Sequence, residues 1–214
     1  MTRLEIISDP ICPWCFLGAW ALERALDSRP GAPLAITWKP FQLNPDMPKG
    51  GMDRRAYLDT KFGGKEAAEA VYSRIEAAMS DAGLPFHLAA IQRTPNTLDA
   101  HRLIRWAGLE GVQGAAVMAL FHGYFEEGRD IGNQTVLEDI AGEAGMDRAV
   151  VRRLLSGTTD ATVVAEDCEA ARDMGVTGVP TFVLGGRYVL AGAQPVETWT
   201  RLIVELQAAS SAPG

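Results

Sequence analysis

Leu4-Glu5-Ile6-Ile7-Ser8-Asp9-Pro10-Ile11-Cys12-Pro13-Trp14-Cys15-Phe16-Leu17-Gly18 is the stretch from which the organisation of this 214-residue chain can be read. Leu4 to Ser8 is a short apolar run of the kind that forms a buried strand. Phe16 to Leu22 continues beyond the cysteines as a helix. Pro13 suits the first helical position, because its fixed φ is already helical and the N–H it lacks would have had no partner there. Cys12 then stands at the cap, its sulfur facing unpaired N–H groups and the positive end of the helix dipole. That field favours the thiolate, the nucleophilic form. Cys15 follows one turn later, within bonding reach of Cys12.

Two cysteines at this spacing have three uses. As a structural staple, so short a loop contributes only about 2 kcal/mol in the chain-entropy model, less than the ~3 kcal/mol of a fifteen-residue loop. As a zinc half-site they need two further ligands, and Cys168, His87, His101 and His122 are scattered singly. As a redox pair they fit the chain best, since C-x-x-C beside an α/β pattern reads as a thioredoxin-like motif. No metal is expected.

Composition limits the partners. With 47% hydrophobic residues the chain can bury a full core as one domain, or as one domain with a large insertion. Twenty basic against 27 acidic residues, net −7, give no electrostatic footprint for nucleic acid or an anionic membrane. Three cysteines argue against a secreted disulfide framework, the N-terminus has no signal-peptide pattern, and no apolar run approaches the ~20 residues of a membrane span. A cytoplasmic location is expected.

Outward from the motif, Ala35-Ile36-Thr37-Trp38-Lys39-Pro40 reads as a second strand, so the chain opens as βαβ. Phe41 to Asp53, with Pro45, Pro48, Gly50 and Gly51, reads as a long loop leaving the sheet. From Arg54 to about Ser156 the pattern is helical. Thr135 and Glu138 form a candidate capping box before Leu137, Ile140, Ala141 and Ala144, and a helix is expected from Asn96 or Thr97 to Ala107. Met118, Phe121 and Phe125 are expected in the core. Val163 to Met174 reads as a helix, with Cys168 on its apolar stripe as a small core residue. Thr181–Leu184 and Arg187–Leu190, linked by Gly185-Gly186, form a candidate hairpin. Val196 to Leu206 is a final helix and Ala208 to Gly214 a frayed tail. This order predicts an α/β fold with a central mixed sheet flanked by helices: residues 1–50 and 157–214 form one domain and 51–156 an all-helical insertion.

A second signal is Gly175-Val176-Thr177-Gly178-Val179-Pro180-Thr181-Phe182, where a proline opens a strand at a tight bend and is a candidate for a cis bond. Together with the opening stretch and with Asn96-Thr97 to Ala100-His101-Arg102-Leu103, it resembles the thioredoxin superfamily. The motifs and the insertion are similar to its DsbA-like branch, in particular the FrnE-like group related to 2-hydroxychromene-2-carboxylate isomerase. The resemblance covers essentially the whole chain and implies a thioredoxin fold. It implies that Cys12 attacks a substrate disulfide and Cys15 resolves the mixed disulfide, in a couple that needs no cofactor beyond its own redox-active disulfide. Pro180 is the implied cis-proline beside the sulfurs, and the Val179 backbone pairs with an extended substrate segment. Pro13 and Trp14 tune the couple and meet substrate. Strongly oxidising relatives carry a histidine in this dipeptide that helps stabilise the thiolate, and Trp14 cannot donate a charge, so a less oxidising couple is expected. His101 is a candidate substrate contact and Glu5 a candidate proton relay, its spacing to Cys12 one residue longer than the family's.

The leading expectation is a cytoplasmic thiol-disulfide oxidoreductase acting on protein, peptide or small-molecule disulfides, with glutathione as a candidate co-substrate and a monomeric or homodimeric state. The alternative is a glutathione-dependent isomerase or kappa-type glutathione transferase, in which serine usually replaces the first cysteine; Cys12 with Cys15 behind it favours exchange. The second alternative is a non-enzymatic peptide-binding module using the groove around Pro180.

Overall fold

Strand β1 (Thr2–Ser8) lies at the centre of a four-stranded sheet of order β2-β1-β5-β6 in a computed structural model that describes residues 1–211. It pairs in parallel with β2 (Leu34–Pro40), from Thr2 opposite Leu34 to Ser8 opposite Pro40. The crossover is helix α1 (Pro13–Ser28). On its other side β1 runs antiparallel to β5 (Thr181–Leu184), which makes the predicted hairpin with β6 (Tyr188–Ala191). Gly185 and Gly186 both have positive φ, 59° and 69°, which glycine tolerates without the steric cost a side chain would bring.

The two-residue period of β1 divides the core. Leu4 and Ile6 face the side covered by α1 and α9 (Val196–Ser211), where Phe16, Phe182 and Trp199 are fully buried and the Phe182 and Trp199 rings meet edge to face at 4.7 Å. Ile7 faces the other side and packs with Phe41 and with Ala171 of α8 (Ala161–Asp173). Parallel edge strand β2 is closed to further pairing at Trp38: the Gln113 side chain accepts from its N–H at 2.9 Å and donates to its carbonyl at 3.2 Å.

Between β2 and β5 the chain is helical, as the sequence pattern predicts: α2 (Arg54–Phe62), α3 (Lys65–Asp81), α4 (Leu98–Leu109), α5 (Gln113–Phe125), α6 (Gln134–Glu143) and α7 (Arg148–Leu155) precede α8. The loop after β2 ends in a strand not foreseen, β3 (Met52–Asp53), antiparallel to β4 (Arg93–Thr94) ahead of α4, both too short to show a period in sequence. Phe121 and Phe125 are fully buried in the core and Met118 partly so. The capping box at Thr135 does not form: the cap is Asn133, two residues earlier, its Oδ1 accepts from Thr135 N at 2.8 Å, and Glu138 pairs with Arg152 and Arg148 instead. The final helix continues through Ser211, longer than the apolar pattern suggests; residues 212–214 of the expected tail lie outside the described residues.

Buried Arg102 on α4 fixes the helices around the sheet. Its guanidinium donates to the carbonyls of Thr159 (2.7 Å), Leu154 (2.7 Å) and Gly157 (2.9 Å) and to Asp99 Oδ1 (2.6 Å), while its plane lies over Trp106. One side chain therefore satisfies the end of α7 and the entry to α8. Replacing Arg102 by Leu leaves three carbonyls and a carboxylate without their donor, and the expected loss is roughly 3–5 kcal/mol. Equilibrium urea unfolding measures it.

Candidate active site

Cys12 is the N-cap residue of α1, with extended backbone angles (φ −88°, ψ 116°) and Pro13 directly behind it. The turn is set by Asp9, whose carbonyl accepts the Cys12 N–H at 2.9 Å. The Cys12 carbonyl accepts from Cys15 N at 3.0 Å and Phe16 N at 3.2 Å, so the helix begins without a gap and carries Cys15 one turn inward. Both cysteines are buried, and neither is in a disulfide.

Opposite the thiols stands the loop between α8 and β5. The Val179-Pro180 bond is cis, and the Cys12 thiol donates to the Val179 carbonyl at 3.4 Å. The sequence-predicted residues Cys12, Cys15, Val179 and Pro180 are thereby brought together from positions almost 170 residues apart. Trp14 projects at the rim, 37% exposed. Beside Val179 and Pro180 an apolar cleft of about 510 Å³ runs along Val176, Val183 and Val189.

The three thiols are not equivalent. Burial, and then the adjoining Cys12 sulfur, push the Cys15 thiol well up, against the Ser8 side chain and the Asp9 N–H, which favour its thiolate. Burial pushes Cys168 up to about 12, in keeping with its predicted place in the core.

Glu5 and His101 are not brought to the thiols. Glu5 lies on the sheet face opposite Leu4 and Ile6, and its carboxylate pairs with Arg3 at 2.6 Å and Lys39 at 3.9 Å. The His101 side chain is almost wholly buried, its Nε2 3.2 Å from the Phe41 carbonyl. The buried acid of the site is Asp9, which lies inside the opening motif and was given no role from the sequence. It has no exposed surface, and its carboxyl accepts from Leu43 N at 2.7 Å and Ile11 N at 3.4 Å, with His101 Nε2 3.7 Å away. Burial, opposed by these N–H groups, by Thr97 and by Arg172, raises its pKa from 3.8 to about 7. Burial likewise lowers that of His101 from 6.5 to about 4, opposed by the Phe41 carbonyl. An acidic residue beside a proline at a strand end, just before the cysteine pair, is the one sequence signal that could have marked it.

No group of three or more His, Cys, Asp or Glu able to hold a metal occurs among the described residues, and no helix among them is long and apolar enough to cross a membrane. The DSBA-like thioredoxin domain family matches residues 3–204. The structure of a probable DsbA oxidoreductase from Streptomyces coelicolor is 30% identical and superposes with a TM-score of 0.84, over 100% of this chain and 93% of that one. Two more distant structures share the fold. A 2-hydroxychromene-2-carboxylate isomerase is 17% identical with a TM-score of 0.73, covering 99% of this chain and 100% of that one. The cytosolic disulfide reductase DsbM from Pseudomonas aeruginosa, in a structure with GSH, is 22% identical with a TM-score of 0.66, covering 97% and 99%. The chain belongs to the DSBA-like thioredoxin domain family.

Asp9 and His101 make opposite contributions to stability as pH changes. Between about pH 4 and 7 the folded chain keeps a proton on Asp9 that the unfolded chain has released, so this group costs stability as pH rises. Between about pH 4 and 6.5 the unfolded chain holds a proton on His101 that the folded chain lacks, so this group costs stability as pH falls. Relative to wild type, Asp9→Asn should therefore gain stability progressively, by roughly 3–4 kcal/mol from pH 4 to 7, whereas the advantage of His101→Asn should be greatest near pH 4 and fade by a similar amount towards pH 6.5. Urea unfolding of both variants across this range measures the two slopes.

Proposed function

We propose that this DsbA-like chain is a thiol-disulfide oxidoreductase that uses Cys12-Pro13-Trp14-Cys15 as its redox pair on disulfides of proteins, peptides or small molecules. The observation that carries the reading is the Cys12 sulfur at the start of α1, 3.4 Å from the Val179 carbonyl and next to Pro180. The helix end favours negative charge on that sulfur. Burial holds the protons of Cys15 and Cys168, so exchange starts at Cys12.

The Cys12 thiolate attacks one sulfur of the substrate disulfide, the second leaves as a thiolate and takes a proton, and a mixed disulfide remains. At that point the Cys12 sulfur no longer carries a charge, neither repelling a charge on Cys15 nor holding its hydrogen as a thiolate acceptor, so two of the influences that kept Cys15 protonated are gone. Cys15 gives up its proton and attacks Cys12, the remaining substrate sulfur leaves as a thiolate and takes up a proton in turn, and the two electrons taken up by the substrate leave a Cys12–Cys15 disulfide. The reverse sequence oxidises a dithiol substrate. Exposed Trp14 and the apolar cleft beside Val179 suit an extended apolar segment of substrate, with the Val179 backbone as its pairing partner. Among small molecules, a glutathione disulfide is the candidate co-substrate, by analogy with the GSH-containing DsbM structure. The pair of thiols favours exchange over a glutathione-dependent isomerisation or conjugation.

Cys12→Ser should abolish disulfide reduction in an insulin-turbidity assay. Cys15→Ser should instead accumulate a mixed disulfide with substrate, visible by mass spectrometry. Equal and small losses in both would sink the assignment.

The proposed location is the cytoplasm, and it sets the resting state. For a couple between about −120 and −230 mV, a cytosolic poise of roughly −280 to −320 mV keeps the pair reduced, since 30 mV is about 1.4 kcal/mol. Acid trapping and alkylation of unstressed cells should find Cys12 and Cys15 mainly as thiols; a predominant disulfide would contradict the compartment or the potential.

A further inference from the structure

Between edge strand β2 and helices α4 and α8 lies a cavity of about 390 Å³ that the exchange steps leave unused: Cys12, Cys15, Val179 and Pro180 are not among its walls. Strand and helix periods meet there. Lys39 stands opposite Ile7, whose side chain packs on α8, so alternation along β2 turns Lys39 to the same side. From α4 come Ile104 and Arg105, and from α8 Val164 and Asp167. The Gln113 side chain, reaching from the edge of β2 at Trp38 to the Ile104 carbonyl at 3.3 Å, forms another wall. At the rim stands Leu109, an apolar side chain 79% exposed.

The two cations of this cavity are poorly satisfied. Arg105 Nε is buried without a hydrogen-bond partner, Asp160 lying 3.6 Å from it and Asp167 3.9 Å from Nη1. Asp160 already accepts the Trp106 indole N–H at 2.8 Å. Lys39 Nζ is 3.9 Å from Glu5, whose carboxylate is bonded to Arg3 at 2.6 Å. A buried N–H left without an acceptor is costly, so this one calls for an acceptor from outside the chain. His101, on the inner wall, is uncharged at neutral pH because burial lowers it to about 4. Lys39 and Arg105 against Asp167 then leave the walls one positive charge in excess.

We propose that this cavity binds a small organic carboxylate with an apolar body, its oxygens taking the free N–H groups of Arg105 and Lys39 and its hydrocarbon part lying against Ile104, Val164 and Leu109. The planar guanidinium matches a carboxylate, and one excess positive charge suits a monoanion better than a phosphate dianion. The volume is that of a site for one small molecule, with apolar walls and a few convergent polar groups.

Phenylacetate is the probe, titrated into the full chain and followed by amide NMR spectra. It should give saturable shifts at Ile36, Lys39, Ile104 and Gly108 to Gly114, with a dissociation constant of about 1 mM or tighter. Uncharged phenylacetamide, and inorganic phosphate, which lacks the apolar body, should each bind at least about tenfold more weakly. Arg105→Gln should weaken phenylacetate binding by a similar factor while leaving insulin reduction at the wild-type rate. Should Arg105→Gln not fold, Lys39→Gln on the half-exposed edge serves, with a loss of at least about threefold expected. The readout is binding alone, so it stands whether or not the proposed redox role does. The inference is overturned if phenylacetate gives no saturable shifts below about 10 mM, if phenylacetamide or phosphate binds as tightly, or if the variant binds as wild type does.

Discussion

Helix α1 can lie directly on the start of β5 because residue 18 has no side chain. A Cβ at Gly18 would stand 3.2 Å from the Phe182 ring and 3.3 Å from the Pro180 ring, closer than ordinary packing permits. The contact falls on the second turn of α1, so any outward shift there swings the helix start away from the loop that carries Val179. The 3.4 Å approach of the Cys12 sulfur to the Val179 carbonyl depends on it. Phe16, one turn after Cys12, secures the same helix from the other side by stacking against Phe121 at 5.4 Å and Phe125 at 5.5 Å. Helix α5 of the inserted segment is therefore part of what holds the cysteine pair in place.

The electrostatics follow from this close packing. A turn pressed between a sheet end, α4 and α8 has little water to solvate its polar groups, and burial there favours the uncharged form of an ionisable group. Cys15, Cys168, Asp9 and His101 all shift that way, the acids upward and the base downward.

The sequence carried the outline of this arrangement because its signals are local. Pro13 behind Cys12, the β-branched alternation of Ala35–Pro40 and the Gly185-Gly186 link each restrict the backbone within a few residues, and each is found where expected. Val179 and Pro180 were legible only through resemblance, since nothing local says that a turn 167 residues away closes on Cys12. Thr135 misled because a capping box competes with any better acceptor nearby, and Asn133 is one, while Arg152 claims Glu138. Glu5 misled for a related reason. Resemblance suggested a relay in the strand before the motif, with a spacing to Cys12 one residue too long, and strand alternation turns the Glu5 side chain to the opposite face, where it pairs with Arg3 and Lys39.

Asp9 shows how little of a residue's environment its local sequence signal carries. Before folding, an Asp-Pro pair at a strand end is an ordinary turn with a solvated carboxylate. Its meaning comes from Leu43, Thr97 and His101, which reach it only once β2 has paired with β1 and α4 has packed against the sheet. The desolvation that raises Asp9 is the sum of those approaches, so the property is created by the fold and would vanish with any one of them. That is why burial of a charged residue, rather than its position beside a motif, was needed to distinguish it from the other acids of this chain.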